Sequence, residues 1–377
     1  MRVLHFYKTY YPDSWGGVEQ AIRQICMGTA RLGITNEVLT LTATDGPARM
    51  EIDGVVVHRV RQDIEIASNA MSMASIGALA RLARTADVVH YHFPWPFGDL
   101  AHFLARVKKP SVVTYHSDIV RQKALLKLYS PLMHRFLANV DGIVATSPNY
   151  FASSDVLRRY GDKVRAIPFG LDRTTYPQPT PERLAHWRAE AGERFFLFVG
   201  VLRYYKGLHI LLDAMARCEY PVVIVGAGPI ENELKEHARR LGLTHVRFVG
   251  AVDEHDKVAL LTLCYAMAFP SHLRSEAFGI SLLEGAMYGK PMISSEIGTG
   301  TSYINIDGDT GLVVPPSDPA AFGNAMRTLW EDPALAAAMG RRAGERYRTL
   351  FTNEKMAADY AKLYREIAKS STKIATL

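Results

Sequence analysis

The sequence predicts an α/β protein made of two units, each built on a mostly parallel sheet. Three observations carry this expectation. Short apolar segments rich in β-branched residues alternate with helical stretches along most of the 377 residues, the pattern of strands joined by helical crossovers. The first segment, R-V-L-H-F-Y, runs into a loop with Gly16-Gly17 and then a helix, the order of a nucleotide-type α/β unit. The length admits two full cores, and Pro177, Pro179 and Pro181 mark a stiff join between them.

In order, strands are expected at 1–7, 37–42, 55–59, 88–92, 111–115, 142–145 and 164–167, with a helix over about 18–32. Gly16-Gly17 allow close backbone approach at that helix start, or form a plain flexible turn. His90 and His92 fall on one face of their strand. With His116 they suggest a zinc site, but no fourth ligand or known spacing supports one, and cleft-lining histidines are the favoured reading. T-Y-H-S-D puts His116 and Asp118 at a strand end, where open α/β sheets bind ligands. The second unit opens with the strand 195–200. Val222 begins a further strand that ends in Gly226-x-Gly228, and 246–250 is another. Helices fit 319–331, 333–350 and 353–368, the last capped by Thr352 or Asn353, and 370–377 reads as frayed. The expected domains are 1–172, joined by a returning helix at about 354–369, and 173–353.

Composition is that of an ordinary globular protein, 48% hydrophobic and 22% charged. No window reaches the ~18 apolar residues of a membrane helix, 259–270 coming nearest, and no signal-peptide run is present. A cytoplasmic location follows as an expectation. Cys26, Cys218 and Cys264 lack any pairing pattern and read as reduced core thiols. Residues 1–175 carry 21 Lys/Arg against 15 Asp/Glu, which accounts for the whole net charge of +6. This basic N-terminal half is either an ordinary solvated surface or one attracted to an anionic surface; a nucleic-acid partner is not expected. Residues 119–137 hold Arg121, Lys123, Lys127 and Arg135 without an acid, with apolar residues at helical spacing. A helix lying on anionic lipid and a core-packed helix with a solvated basic side fit equally.

The chemistry concentrates in 270–291, P-S-H-L-R-S-E-A-F-G-I-S-L-L-E-G-A-M-Y-G-K-P. Glu276 and Glu284 lie eight positions apart, and Gly289 with Pro291 stops the segment. A helix is expected from near Gly279 or Ser281, with Glu284 inside it. Eight helical steps would span ~12 Å. The N–H groups of Gly279, Ile280 and Ser281 would face an anion such as phosphate. Spacing alone is also met by coincidence, but Glu284 lies among Leu282, Leu283, Ala286 and Met287, where a free charge is costly. Arg203 and Lys206 in V-L-R-Y-Y-K-G are placed to meet a diphosphate, or are two exposed loop cations. Gly226-x-Gly228 meets Glu231 where a dehydrogenase has a third small residue. Asp307-Gly308-Asp309 imitates a metal-binding D-x-D but reads as a tight turn. Asp253, after V-G-A-V, accepts the two donors of a guanine edge, with Lys257 on its O6 or a phosphate, or caps the next helix, or does both.

The spaced glutamates with F-G-I-S and G-K-P resemble retaining glycosyltransferases of family 4. That resemblance implies the GT-B fold, two Rossmann-like domains with parallel sheets facing across a cleft, and a last helix crossing back to the first. It places Glu276 on the donor sugar and Glu284 on the ribose. Phe278, Gly279, Ile280 and Ser281 fall in the donor site, and Gly16 and Gly17 face donor phosphate and acceptor. His116 would lie beside the donor sugar, and Asp118 would orient an acceptor hydroxyl. Lys206-Gly207 matches the family's K-G, but Val201 stands where an Arg is usual, so Arg203 would take over that charge. Phe169 replaces the usual Asn of P-N-G-V-D. Val252, Asp253 and Lys257 resemble a guanine pocket. The implied reaction is retaining transfer of a hexose from a nucleotide sugar, with Glu276, His116, Asp118, Arg203 and Lys206 at the chemistry and no metal or other cofactor. H-F-Y-K-T-Y-Y-P-D-S, T-Y-H-S-D-I-V-R-Q and L-R-Y-Y-K-G-L are similar to bacterial mannosyl- and rhamnosyltransferases of O-antigen (lipopolysaccharide) assembly. The implied donor is GDP-mannose or GDP-D-rhamnose. The implied acceptor is a polyprenyl-diphosphate-linked or other glycan, met at the inner face of the cytoplasmic membrane. A UDP-sugar, a non-catalytic sugar-binding role and a nicotinamide-dependent enzyme are the alternatives.

Overall fold

A computed structural model describes residues 1–66, 68–119 and 123–374. The chain divides into two units, residues 1–170 with the segment from 353, and residues 171–352.

The first unit is organised on an eight-stranded sheet. Its strand order is Val164–Ala166, Gly142–Ala145, Ser111–Tyr115, Val88–Phe93, Arg2–Phe6, Thr35–Thr42, Val55–Arg61 and Arg49–Ile52. Every neighbouring pair is parallel except the last, Arg49–Ile52 against Val55–Arg61. The central strand V-V-H-Y-H-F is buried throughout, as a parallel strand covered on both faces must be. The antiparallel edge alternates exposed and half-buried residues, and the sequence reading missed it. A small hairpin of Ile64–Ile66 and Asn69–Met71 was missed as well.

The last helix, Asn353–Ile374, belongs to this unit and runs beyond the expected 369. It packs on the helix Gly17–Ala30, where Asn353 Nδ2 donates to Gln24 O at 2.7 Å and to Gln24 Oε1 at 2.9 Å. It is also bonded to the sheet. The Tyr364 hydroxyl lies 2.7 Å from His90 Nδ1, and that of Tyr360 lies 2.9 Å from Thr114 Oγ1.

The second unit has six parallel strands in the order Val246–Gly250, Val222–Val225, Phe196–Val199, Ala266–Phe269, Met292–Ser295 and Gly311–Val314. Phe196, Phe198, Leu211, Ala268, Ile293, Phe322 and Met326 fill its core. The apolar stretch 259–270 is the end of the helix Glu254–Leu263 and the strand Ala266–Phe269, broken between them. Among the described residues no helix is long and apolar enough to cross a membrane. Helices Pro319–Glu331 and Pro333–Leu350 begin on proline after an Asp cap, as a missing N–H costs nothing there.

The unit begins at Leu171, two residues before the expected boundary at 173. Leu171 donates its N–H to Phe351 O at 3.0 Å, bridges Thr352, and accepts from the Tyr347 hydroxyl at 2.8 Å. The proline-rich join is ordered into a 3-10 turn at Arg173–Thr175 and the helix Pro181–Ala191. The three cysteines are free thiols.

A Cβ on Gly28 would stand 2.3 Å from Asn353 Oδ1 and 2.7 Å from Ala357 Cβ. Gly28→Val is therefore expected to push the last helix off its seat and to cost about 1–3 kcal/mol. Urea denaturation checks this; an unchanged midpoint would contradict the packing described.

Candidate active site

In the second unit the loop between Phe269 and Ile280 carries Glu276 outside any helix, and Glu284 lies inside the helix Ile280–Met287. Only the second half of their separation is helical, so the expected ~12 Å rise of eight helical steps does not apply. Gly279 caps the helix at φ 95, a left-handed conformation in which a side chain would be strained, and a Cβ would meet the Phe269 ring at 3.1 Å. The expected phosphate-facing start at Gly279, Ile280 and Ser281 is thus a true helix N-terminus, and Ile280 and Ser281 are partly exposed. Phe278 is buried behind it, with Gly300 leaving room for its ring.

Each glutamate has its own lysine. Lys206 Nζ forms a short ion pair with Glu276 Oε2, which also accepts from Ser271 Oγ at 3.2 Å. Burial alone would lower the Lys206 pKa. The Glu276 carboxylate outweighs it and holds the ammonium above the ordinary lysine range. Lys206 is delivered by the 3-10 turn Tyr204–Lys206, which Gly207 closes at φ 69. A Cβ on Gly207 would fall 2.0 Å from Pro270 O, so the K-G pair is what lets this turn lie against the glutamate loop. Arg203 stands exposed at the start of the turn, and Val201 is exposed two residues before it.

Glu284, 3% exposed, accepts at Oε1 from Lys257 Nζ and from the Tyr176 hydroxyl, both at 2.9 Å. Lys257 also pairs with Glu254 at 2.9 Å. Burial would lower its pKa, and the Glu284 and Glu254 carboxylates raise it instead. Lys257 therefore spends two of its three donors on carboxylates. Tyr176 was not singled out from sequence: it sits in the proline-rich join and meets Glu284 across 108 positions.

Asp253 caps the helix Glu254–Leu263, its Oδ1 accepting from Asp256 N at 2.8 Å and from Arg183 Nη1 at 2.8 Å. The capping alternative is thus realised. The side chain is 53% exposed and Oδ2 has no partner among the described residues, with Val252 half-buried beside it. Gly226 and Gly228 lie against the 200–202 loop, where Cβ atoms would meet Gly200 O at 2.0 Å and Leu202 O at 2.4 Å. Asp307 Oδ1 accepts from Val313 N at 2.8 Å and Asp309 pairs with Arg342 at 2.7 Å, so D-G-D is a turn.

The remaining expected residues belong to the first unit. Gly16 precedes the helix Gly17–Ala30, and a Cβ there would meet Glu19 Oε2 at 2.5 Å. Glu19, held by Ser14 Oγ at 2.7 Å, already supplies a negative charge to this helix start. Asp118 Oδ1 accepts from the Tyr115 hydroxyl at 2.9 Å and Ser154 Oγ at 2.8 Å, bracing its loop. His116 is buried, stacks on Phe169 with ring centroids 5.5 Å apart, and bonds His92 at 3.0 Å.

The chain matches the family model "Glycosyl transferases group 1" over residues 181–346 and "Glycosyltransferase Family 4" over 15–175. It is 65% identical to the D-rhamnosyltransferase WbpZ of Pseudomonas aeruginosa, over 93% of this chain and 92% of that protein. The chain belongs to glycosyltransferase family 4. It is also 49% identical to the O-antigen chain mannosyltransferase C of Escherichia coli, over 99% of this chain and all of that one. Among solved structures, sucrose-phosphate synthase from Thermosynechococcus elongatus superposes with a TM-score of 0.79 at 22% identity, covering 98% of this chain and 99% of that one. Anabaena Alr3699/HepE, in complex with UDP and glucose, superposes at 0.76 and 21%, covering 96% and 98%. The fold of this transferase is GT-B, two Rossmann-like α/β units.

The pairing of Glu284 gives a direct test. Lys257→Met in the transferase would leave a buried carboxylate supported, among the described residues, by Tyr176 alone and is expected to lower stability by about 3–5 kcal/mol. Tyr176→Phe should cost less, about 1–2 kcal/mol. The folded pKa of Lys257 lies above its unfolded value, so the pair's contribution is full below about pH 10 and fades only as pH rises through the folded value. Denaturation at neutral pH and in alkali checks both; a Lys257→Met chain as stable as the parent would contradict the assignment.

Proposed function

We propose that the protein is a retaining transferase that moves D-rhamnose from GDP-D-rhamnose to a hydroxyl of a lipid-linked glycan in O-antigen assembly. The observation that carries this is the 65% identity, over nearly the whole chain, to a D-rhamnosyltransferase, with both spaced glutamates in place. GDP-mannose is the second reading, supported by the 49% identical mannosyltransferase. In this reading Glu276 meets the sugar and Glu284 the ribose. The helix start at Ile280, with Lys206 and Arg203, stabilises the charge developing on the departing diphosphate without a metal. Asp253 offers its open Oδ2 to the guanine edge while Oδ1 keeps the cap.

A panel of GDP-D-rhamnose, GDP-mannose and UDP-glucose, run with a polyprenyl-diphosphate-linked glycan in EDTA, tests the donor. The expected product gains one deoxyhexose; a product gained only from UDP-glucose, or only after a divalent ion is added, overturns the reading. Glu276→Ala should abolish transfer with little loss of GDP binding, whereas Glu284→Ala should weaken GDP itself. Asp253→Asn keeps the cap but loses a charged acceptor, so GDP affinity should fall relative to UDP.

For the acceptor's membrane, the helix Lys123–Asn139 contributes a mixed surface. Met133, Phe136 and Leu137 are buried, while Leu125, Leu128, Lys127 and Arg135 are exposed. Arg121 lies outside the described residues. Leu128 and Lys127 together suit an anionic lipid surface, each basic residue adding ~1 kcal/mol. The chain should co-sediment with anionic and not neutral vesicles, and Lys127→Glu with Leu128→Glu should release it. Indifference to lipid charge would refute membrane docking.

A further inference from the structure

Four histidines line one face of the first unit's sheet. His5 and His90 are direct register partners on neighbouring strands, and His92 lies two residues along from His90. His116 follows the end of the next strand. Ring nitrogens link three of them in a row. His5 Nδ1 is 3.2 Å from His92 Nε2, and His92 Nδ1 is 3.0 Å from His116 Nε2. At the inner end His5 Nε2 is 3.3 Å from Asn36 Oδ1.

The direction of this chain follows from Asn36. Its Nδ2 lies 3.0 Å from Cys26 O and 3.3 Å from Ile34 O. Carbonyl oxygens only accept, so the amide nitrogen must face them and Oδ1 must face His5. His5 therefore carries its hydrogen on Nε2. A neutral imidazole with one hydrogen spent has an accepting Nδ1, which takes the hydrogen of His92 Nε2. The same step repeats, and His116 donates from Nε2 to His92 Nδ1. Burial keeps the rings neutral: His5 is lowered to about 4, His116 to about 3, and His92 well below the ordinary value. Reversing the chain would set acceptor against acceptor at Asn36.

We propose that Asn36, His5 and His92 are positioning residues that lock His116 as the tautomer with hydrogen on Nε2. Its Nδ1 is then an obligate acceptor for a hydroxyl of a bound sugar. No described residue hydrogen-bonds His116 Nδ1. The stacked Phe169 ring holds the imidazole plane, so the chain sets which nitrogen is bare and the stack sets where it points. That the hydroxyl belongs to a sugar rests on the transferase reading above; the tautomer does not. His5, His90 and His92 also form a compact group, their ring nitrogens within 4.8 Å of one another. Every ring nitrogen of the three already has a hydrogen-bond partner, His90 at Tyr364 and Thr114, both 2.7 Å. A polar relay explains them without an ion.

The full chain, labelled with 15N-histidine and purified without chelator, tests this by long-range 15N–1H correlation at neutral pH. His116 is expected as a single Nε2–H tautomer in the parent. In His92→Phe the preference should disappear and kcat/KM fall about five- to tenfold, the worth of one neutral hydrogen bond. His92→Gln, whose amide donates to His5 and accepts from His116, should restore both. An Nδ1–H tautomer in the parent, a stoichiometric metal ion on the purified chain, or failure of glutamine to rescue would each overturn the proposal. The parent spectrum decides even where a variant does not fold. It also reads the tautomer whether or not a given sugar nucleotide is turned over.

Discussion

A buried carboxylate is tolerable only when something positive stands against it, and the second unit is arranged around two such pairs. Glu276 meets Lys206, and Glu284 meets Lys257. Unpaired, either charge would cost several kcal/mol. The pairs also fix the geometry around the helix Ile280–Met287, one before its start and one within it. Lys206 holds the loop that precedes the helix, and Lys257 ties the helix itself to its neighbour Glu254–Leu263. An ammonium has three donors. Lys206 can therefore keep its glutamate and still have donors to spare.

Much of this was legible because the signals are local. Proline after an aspartate cap marks the starts of Pro319–Glu331 and Pro333–Leu350, and strand-like runs mark most of the parallel strands. The spaced glutamates stood out because Glu284 has only apolar neighbours in sequence. What escaped depends on contacts far apart in the chain. Nothing around Tyr176 tells that it bonds Glu284, and three-residue strands such as Ile64–Ile66 carry no period to detect. The histidines show both sides. Alternation put His90 and His92 on one face, but His5 joined them only through strand register, which sequence does not display.

A polar side chain can meet a structural demand with only part of itself. Asp253 spends one oxygen on a helix cap and an arginine. The structural use removes rotamer freedom from the carboxylate, so whatever its remaining oxygen meets finds it already oriented. At Asp253 a helix cap and base recognition do not exclude each other, because the cap uses Oδ1 alone.

The last helix belongs to the unit that the chain left at Gly170, so the second unit is in effect an insertion within the first, its ends Leu171 and Thr352 bridged to each other. This orders events on the ribosome. Residues 1–170 emerge first but lack the helix that covers His90, Thr114 and Gly28 until 182 further residues have been made. The second unit can close as soon as Thr352 is free of the exit tunnel. The half of the enzyme translated first is therefore the half finished last, and until then its central sheet presents an uncovered face to chaperones and to other nascent chains.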